Sequence, residues 1–206
     1  MAKVLILNGS PHPKGCTARA LKEVEKVLQE EGMETETIQV GSQPVRGCIA
    51  CKSCYRNGKC VFDDLVNQIA PKFEKADGLL VGSPVYYASA NGTLISFLDR
   101  LFYSTHFDKA FKVGAAIVSA RRGGCSATYD ELNKYFTISQ MMVVSSQYWN
   151  QVHGNTPEEV EQDSEGLQTM RTLGRNMAFL IKAIDLGKEK YGLPEREKKI
   201  STNFIR

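Results

Sequence analysis

Short apolar runs alternate along this chain with longer segments of helical periodicity, and this alternation limits the folds that the chain can adopt. The apolar runs cover residues 4–7, 78–83, 112–120 and 141–146, and residues 34–40 alternate polar with apolar side chains. Residues 4–7 and 78–83 indicate strands buried on both faces, whereas 34–40 indicates a half-buried edge strand. Because parallel strands need long crossover connections, the pattern predicts an α/β fold with a five-stranded parallel sheet and helices on both faces.

Length and composition restrict the architecture and the location. At 206 residues the chain is long enough for one core and short for two ordinary domains, so we predict a single domain over 1–206 with a cysteine-rich loop at about 47–62. The net charge of +3 does not support a nucleic-acid-binding surface. No stretch approaches the roughly 18 apolar residues of a membrane span, and the first apolar run is too short for a signal peptide. We therefore expect a cytoplasmic protein with neither a membrane nor a nucleic acid as partner.

Three loops of unusual composition follow predicted strands, at the edge where open parallel sheets bind ligands. The first is NGSPHPKGCTA, in which Gly9 and Gly15 permit tight backbone paths while Ser10 and Thr17 supply hydroxyls. Together with the N–H groups of the following helix, these features suit an anion. The loop is neither a Walker A motif nor G-x-G-x-x-G, so a single phosphate fits better than a triphosphate or a dinucleotide. The alternative is a polar turn without a ligand.

The second and third loops offer an aromatic surface and backbone donors. SPVYYASANG places Tyr86 and Tyr87 among small residues, where a flat aromatic ligand could pack against a ring and accept hydrogen bonds from the amides of residues 89–92. SARRGGCSA adds further amides and two guanidinium groups. The alternatives are tyrosines that close the top of the core and a solvated turn.

Taken together, LNGSPHPKGCTA, VGSPVYYASANGTLISFLDR and SARRGG resemble the NADPH-dependent FMN reductase branch of the flavodoxin-like superfamily, and most of all its iron–sulfur flavoproteins. The resemblance extends from Lys3 to about Trp149. It implies a flavodoxin-like three-layer sandwich whose five parallel strands have the order 2-1-3-4-5. It also implies bound FMN, NAD(P)H as the electron donor, and a homo-oligomer, either a dimer or a tetramer.

The resemblance further implies three groups of FMN contacts. Those around the phosphate are Ser10, His12, Gly15, Cys16, Thr17 and Ala18. Those along the isoalloxazine ring are Pro84, Val85, Tyr86, Tyr87, Ser89 and Asn91. Those of a third wall are Ala120, Arg121, Arg122, Gly123 and Gly124. Cys16 departs from the family pattern, in which asparagine is common before the threonine, and a thiol is a weaker donor than an amide.

Four of the six cysteines lie in GCIACKSCYRNGKC with the spacing C-x2-C-x2-C-x5-C. The resemblance implies that Cys48, Cys51, Cys54 and Cys60 hold a [4Fe–4S] cluster, because iron–sulfur flavoproteins carry a compact cysteine motif at this place. Thiolates at this spacing can cap a cubane from one short loop. Zinc and four unliganded thiols stay open, although zinc sites more often use two separated C-x-x-C pairs. Disulfides are the weakest explanation in a reducing compartment.

The leading hypothesis is an FMN-dependent oxidoreductase that passes electrons from NAD(P)H through FMN to a quinone, a flavin or another small acceptor, with the cluster, where present, as a one-electron relay. A redox protein is a further candidate partner. Hydride transfer to FMN needs no side chain as acid or base, so no catalytic residue is predicted. Two alternatives stay open. One is a non-enzymatic electron carrier of flavodoxin type, and the other is a redox or metal sensor in which the cysteine loop is the functional part.

Overall fold

Seven strands form one sheet in the computed structural model, which describes residues 1–198, 200–202 and 204. They are β1 (Lys3–Asn8), β2 (Glu34–Gln39), β3 (Gly78–Tyr86), β4 (Ser89–Ala90), β5 (Val113–Ala120), β6 (Met142–Val143) and β7 (Gln151–His153). The main path is β2-β1-β3-β5-β6, and its neighbours are parallel. With β5 and β6 as the fourth and fifth predicted strands, the order 2-1-3-4-5 is confirmed. Positions 199, 203, 205 and 206, which the predicted domain also includes, lie outside the described residues.

The helices cover both faces of the sheet, as predicted. They are α1 (Cys16–Glu30), α2 (Ser53–Asn57), α3 (Leu65–Lys75), α4 (Gly92–Ser104), α5 (Cys125–Ile138), α6 (Pro157–Gln162) and α7 (Ser164–Tyr191). One apolar core lies under α1, α6 and α7, and a second lies under α3, α4 and α5. Among the described helices, none has an apolar stretch long enough to cross a bilayer.

The central strands are apolar on both sides because both of their faces are covered. Residues 4–7 of β1 and 79–81 of β3 are fully buried. Helices approach the sheet closely where a strand carries glycine: a Cβ at Gly82 would lie 2.9 Å from the Leu21 side chain of α1, and one at Gly114 would lie 2.6 Å from Phe136 of α5. β2 pairs only with β1 in this sheet and keeps several half-exposed side chains, so the edge-strand prediction is confirmed.

The last edge of the sheet is a strand interrupted by a loop. β6 pairs with the start of β5, and β7 pairs with its end, so both lie on the same side of β5. Between them the fully buried Asn150 continues the ladder: its Nδ2 donates to the Ala116 carbonyl (3.1 Å), and its own carbonyl accepts from the Val118 N–H (2.9 Å). The single strand expected at 141–146 is therefore shorter than predicted, and β7 was not predicted.

A tight hairpin extends the end of β3. Tyr86 pairs with Ser89 of β4, which leaves a two-residue turn of Tyr87 and Ala88. Both turn residues have positive φ, 51° and 60°, as a type I′ turn requires, although this conformation favours glycine or asparagine. The hairpin lies at the same carboxyl edge as the ends of β1 and β5, where the first and third loops begin.

Candidate functional site

A cavity of about 680 Å³ opens at the carboxyl ends of β1, β3 and β5. Its volume lies within the range of roughly 300–1,000 Å³ that is usual for cofactor sites. All three predicted loops contribute to its wall, and the segment after β7 forms a fourth side. The lining residues are Ser10, His12, Pro13, Lys14, Gly15, Cys16, Thr17, Pro84, Val85, Tyr86, Ser119, Ala120, Arg121, Gly154, Asn155, Thr156 and Pro157.

The first loop presents the N-terminus of α1 to this cavity. In the described chain, no side chain caps α1 at Gly15 or α5 at Gly124. The other long helices that start at this edge are capped: Asp64 accepts from a backbone N–H of α3, Asn91 from one of α4 and Asp163 from one of α7. First-turn N–H groups without a side-chain cap carry partial positive charge and can bind an anion. The two uncapped helices are the ones that begin in the first and third loops.

Two buried hydroxyls join the first and third loops at the floor of the cavity. The Thr17 Oγ1 and the Ser119 Oγ lie 2.8 Å apart, and both side chains are almost fully buried. Each hydroxyl has one hydrogen and two lone pairs, so the pair has hydrogen-bonding capacity beyond the bond that they share. Such buried groups suit a polar ligand atom.

Cys16 is used by the protein itself. Its Sγ donates to the Gly154 carbonyl at 3.5 Å, which connects the first loop to the segment after β7. Burial raises the pKa of this thiol, and the negative charges of Glu159 and Glu158 raise it further. Cys16 is therefore a protonated donor to the backbone.

The charge of the wall favours an anionic ligand. His12, Lys14 and Arg121 line the cavity, whereas no aspartate or glutamate does so among the described residues. The wall also has apolar and aromatic side chains, among them Val85, Ala120 and Tyr86. A ligand with a charged end and a flat aromatic end matches this combination.

Ten of the predicted FMN contacts line the cavity, and seven do not. The seven are Ala18, Tyr87, Ser89, Asn91, Arg122, Gly123 and Gly124. The Ser89 hydroxyl donates to the Glu131 carboxylate (2.9 Å), and the Asn91 side chain caps α4, so both side chains serve the protein. Tyr87 is fully exposed at the hairpin tip. All seventeen assignments stay predictions, and the ten that line the cavity are placed where FMN could contact them.

The sequence reasoning missed three parts of the wall, of which the first is Pro13 and Lys14 inside the first loop. Ser119 is adjacent to the predicted third wall, and its alignment with Thr17 depends on the pairing of β3 with β5. Residues 154–157 come after the interrupted edge strand, and the segment GNTP gives no signal beyond that of a turn followed by a helix start.

The second site is the cysteine loop, between β2 and α3. Cys48, Cys51, Cys54 and Cys60 all line one small cavity of about 20 Å³, large enough for about one water molecule. The four thiols thus border the same cavity, and their assignment as cluster ligands stays a prediction. Cys48 and Cys51 are exposed, whereas Cys54 is buried and Cys60 is half-buried.

The four thiols supply suitable donors but do not form a closed cage. Within the described ranges, no three His, Cys, Asp or Glu side chains are arranged to hold one metal ion. The Cys54 Sγ faces the Tyr103 carbonyl at 3.9 Å, and the Cys48 Sγ accepts from the Ala50 N–H at 3.4 Å. Thiolates are the usual ligands of iron–sulfur clusters, so the chemistry of the donor set fits.

Arg100 of α4 lies in the wall of this cysteine cavity and is 1% exposed. Its Nε and Nη2 donate to the Cys60 Sγ at 3.3 and 3.2 Å, and its guanidinium forms a bidentate pair with Asp64. Burial lowers the pKa of Arg100, but the hydrogen bonds to Asp64 and Cys60 outweigh it, so the net pKa is raised. The charge is therefore permanent.

Known proteins that are similar to this chain in sequence or in fold identify its family. Residues 2–156 match the family described as NADPH-dependent FMN reductase. An iron–sulfur flavoprotein of Methanocaldococcus jannaschii is 34% identical over 88% of this chain and 98% of its own length. In fold, the chain is similar to RosB in a crystal structure with bound 8-demethyl-8-formylriboflavin-5′-phosphate, with a TM-score of 0.71, 15% identity and coverage of 100% of this chain and 94% of that one.

A flavodoxin from the domain Archaea is similar in fold at a TM-score of 0.60, with 16% identity over 87% of this chain and 99% of that one. The predicted three-layer, flavodoxin-like fold is thereby confirmed. The family match covers three quarters of the chain and includes all three loops that form the cavity wall. We conclude that the chain belongs to the NADPH-dependent FMN reductase family and is a flavodoxin-like, FMN-dependent oxidoreductase.

Proposed function

We propose that FMN binds in the cavity at the carboxyl edge, with its phosphate at the N-terminus of α1. The observation that carries this proposal is the buried pair of Thr17 and Ser119 hydroxyls beside the uncapped N–H groups of α1. Lys14 and Arg121 add positive charge to a wall without carboxylates in the described chain. Charged hydrogen bonds of this kind are among the stronger ones in proteins.

The second and third loops hold the ring in this proposal. Tyr86, Val85 and Ala120 offer aromatic and apolar surface in the wall of the cavity. FMN, when bound, supplies one- and two-electron exchange. The protein orients the ring and leaves one side open to a reduced nicotinamide, NADH or NADPH, as hydride donor. That transfer needs no acid or base from the chain, so no side chain is proposed as a catalytic residue.

The four cysteines hold a [4Fe–4S] cluster in this proposal. Two points support it: all four thiols line one cavity, and the relative from M. jannaschii is named an iron–sulfur flavoprotein. The cluster, when bound, supplies one-electron exchange. Helix α4 connects the two sites, because it begins just after the hairpin and carries Arg100 about 12 Å further along its axis. The electron acceptor is a quinone, a flavin or another small molecule, in a cytoplasmic homo-oligomer.

Protein purified without oxygen should show flavin absorption bands, and iron and acid-labile sulfide should each approach four per chain. Anaerobic mixing with NADH or NADPH should bleach the flavin within seconds, and turnover with a quinone or free FMN should follow. Flavin bands without iron would remove the cluster from the proposal. Reduction only by a protein partner would favour the electron carrier, and no flavin even after FMN addition would favour the sensor.

A further inference from the structure

Arg100 is buried, lies outside the proposed FMN cavity, and makes an unusual set of contacts. A buried arginine is costly unless each donor finds a partner. Here the partners are Asp64, the Cys60 Sγ and the Arg46 carbonyl, the last at 3.2 Å, and the Phe62 ring lies 5.0 Å from the guanidinium carbon. Arg46 precedes the cysteine motif, Asp64 follows it, and Cys60 is its last thiol.

We propose that Arg100 is the positioning residue of the cysteine site: its guanidinium holds Cys60 in place as a cluster ligand and stabilises the reduced state of the cluster. This inference rests on the proposed cluster and adds to it. Of the four thiols, Cys60 alone receives side-chain N–H donors in the described structure. Hydrogen bonds to ligand sulfurs, and nearby positive charge, raise cluster reduction potentials because the reduced cluster is the more negative one.

The rigidity of Arg100 supports this assignment over a generic ion pair. Asp64 is itself held in place, because its carboxylate also caps α3 by accepting from the Val66 N–H at 3.1 Å. The guanidinium is thereby fixed in its plane, and its Nε and Nη2 edge faces sulfur while Nη1 and Nη2 face Asp64. A lysine cannot reproduce this fork, because it offers one rotating ammonium.

Three variants separate the roles of Arg100. Arg100→Met removes the donors and the charge but keeps apolar volume, and Arg100→Lys keeps the charge without the fork. Asp64→Asn is the matched control, because it breaks the same ion pair while it leaves the guanidinium next to Cys60 and can still cap α3. Iron, sulfide and far-UV circular dichroism would be measured on each protein, followed by the midpoint potential of the cluster by anaerobic EPR titration.

We expect the potential of Arg100→Met to fall by at least 59 mV, a tenfold change in the one-electron reduction constant, with Arg100→Lys between it and the wild type. Asp64→Asn should not lower the potential, since it removes a negative charge. The inference would be overturned if Arg100→Lys had the same potential as the wild type. It would also be overturned if Asp64→Asn lowered the potential as much as Arg100→Met does. If Arg100→Met does not fold, the inference is tested by comparing the midpoint potentials of Arg100→Lys and Asp64→Asn. Wild-type protein without iron and sulfide would instead reject the proposed cluster itself.

Discussion

The hydroxyls of Thr17 and Ser119 lie 2.8 Å apart although 102 residues separate them in the chain. Thr17 is in the first turn of α1, and Ser119 is near the end of β5, so the contact joins the first and third loops below the cavity. Both are buried hydroxyls with lone pairs to spare. The contact shows that the cavity floor is assembled by the order of the strands in the sheet.

Thr17→Ala should weaken FMN binding by about tenfold to a hundredfold, because a hydrogen bond to a charged group contributes roughly 1.5–3 kcal/mol. Fluorescence titration of flavin-free protein with FMN would measure the dissociation constant. Thr17→Ser keeps the hydroxyl and should bind FMN within a factor of a few of the wild type. Equal affinity in the alanine and serine variants would show that the hydroxyl does not contact the ligand.

The two adjacent tyrosines should differ in their effect on flavin binding. Tyr86 lines the cavity, whereas Tyr87 is fully exposed at the hairpin tip. Tyr86→Ala should reduce FMN affinity by up to about tenfold, because aromatic stacking contributes roughly 0.5–1.5 kcal/mol beyond area burial. Tyr87→Ala should leave affinity unchanged, as measured in the same titration. A larger loss for Tyr87→Ala than for Tyr86→Ala would reverse the assignment of the ring wall.

Gly123 and Gly124 form a natural pair of test and control positions. Gly124 has a φ of +91°, and a Cβ there would lie 2.8 Å from the Val85 side chain and 3.0 Å from the Ala88 Cα. Gly123 would accept a Cβ with no atom within 4 Å. Gly124→Ala should destabilise the protein by about 2 kcal/mol, lowering Tm by several degrees, and should weaken FMN binding because the hairpin is displaced. Gly123→Ala should leave both unchanged, and similar Tm values for the two variants would contradict this account.

Acid should weaken the contact between α1 and α7 through Glu23. Its carboxylate accepts from Arg19 (2.9 Å) and Arg171 (2.6 Å). Burial raises the pKa of Glu23, but these hydrogen bonds outweigh it, and the net pKa lies below its ordinary 4.5. A depressed pKa contributes stability that is complete above about pH 4.5 and is lost as pH falls through the folded-state value.

Glu23→Gln should therefore unfold at a lower temperature than the wild type at pH 7, and the difference should shrink below pH 4. Thermal unfolding followed by circular dichroism across pH 3–8 would measure both. Glu25→Gln is a suitable control, because Glu25 is also on α1 and accepts from the Thr37 hydroxyl instead of an arginine. A Tm difference for Glu23→Gln that does not vary with pH would exclude the ion pairs as its source.

The sequence by itself indicated five strands, their parallel pairing and the three loops, because burial on both faces requires uninterrupted apolar runs and parallel pairing requires crossovers. The strand order 2-1-3-4-5 followed from the family resemblance, which also gave Tyr86, Thr17 and the four cysteines as candidate site residues. Only the tertiary structure decided which side chains of a loop face the cavity. Tyr86 and Tyr87 are adjacent in the sequence, but Tyr86 lines the cavity and is 44% exposed, whereas Tyr87 lies in the turn with positive φ and is fully exposed.

Contacts between residues far apart in the chain could not be predicted from the sequence. Ser119 lies next to Thr17, and Arg100 next to Cys60, because strands and helices distant in the chain pack side by side. Arg100 on α4 gave no local signal, since its partners are 36 and 40 residues away. Local patterns determine secondary structure and which face of an element is buried. The chemistry of this protein depends on contacts that exist only after the sheet has brought separate loops to one edge.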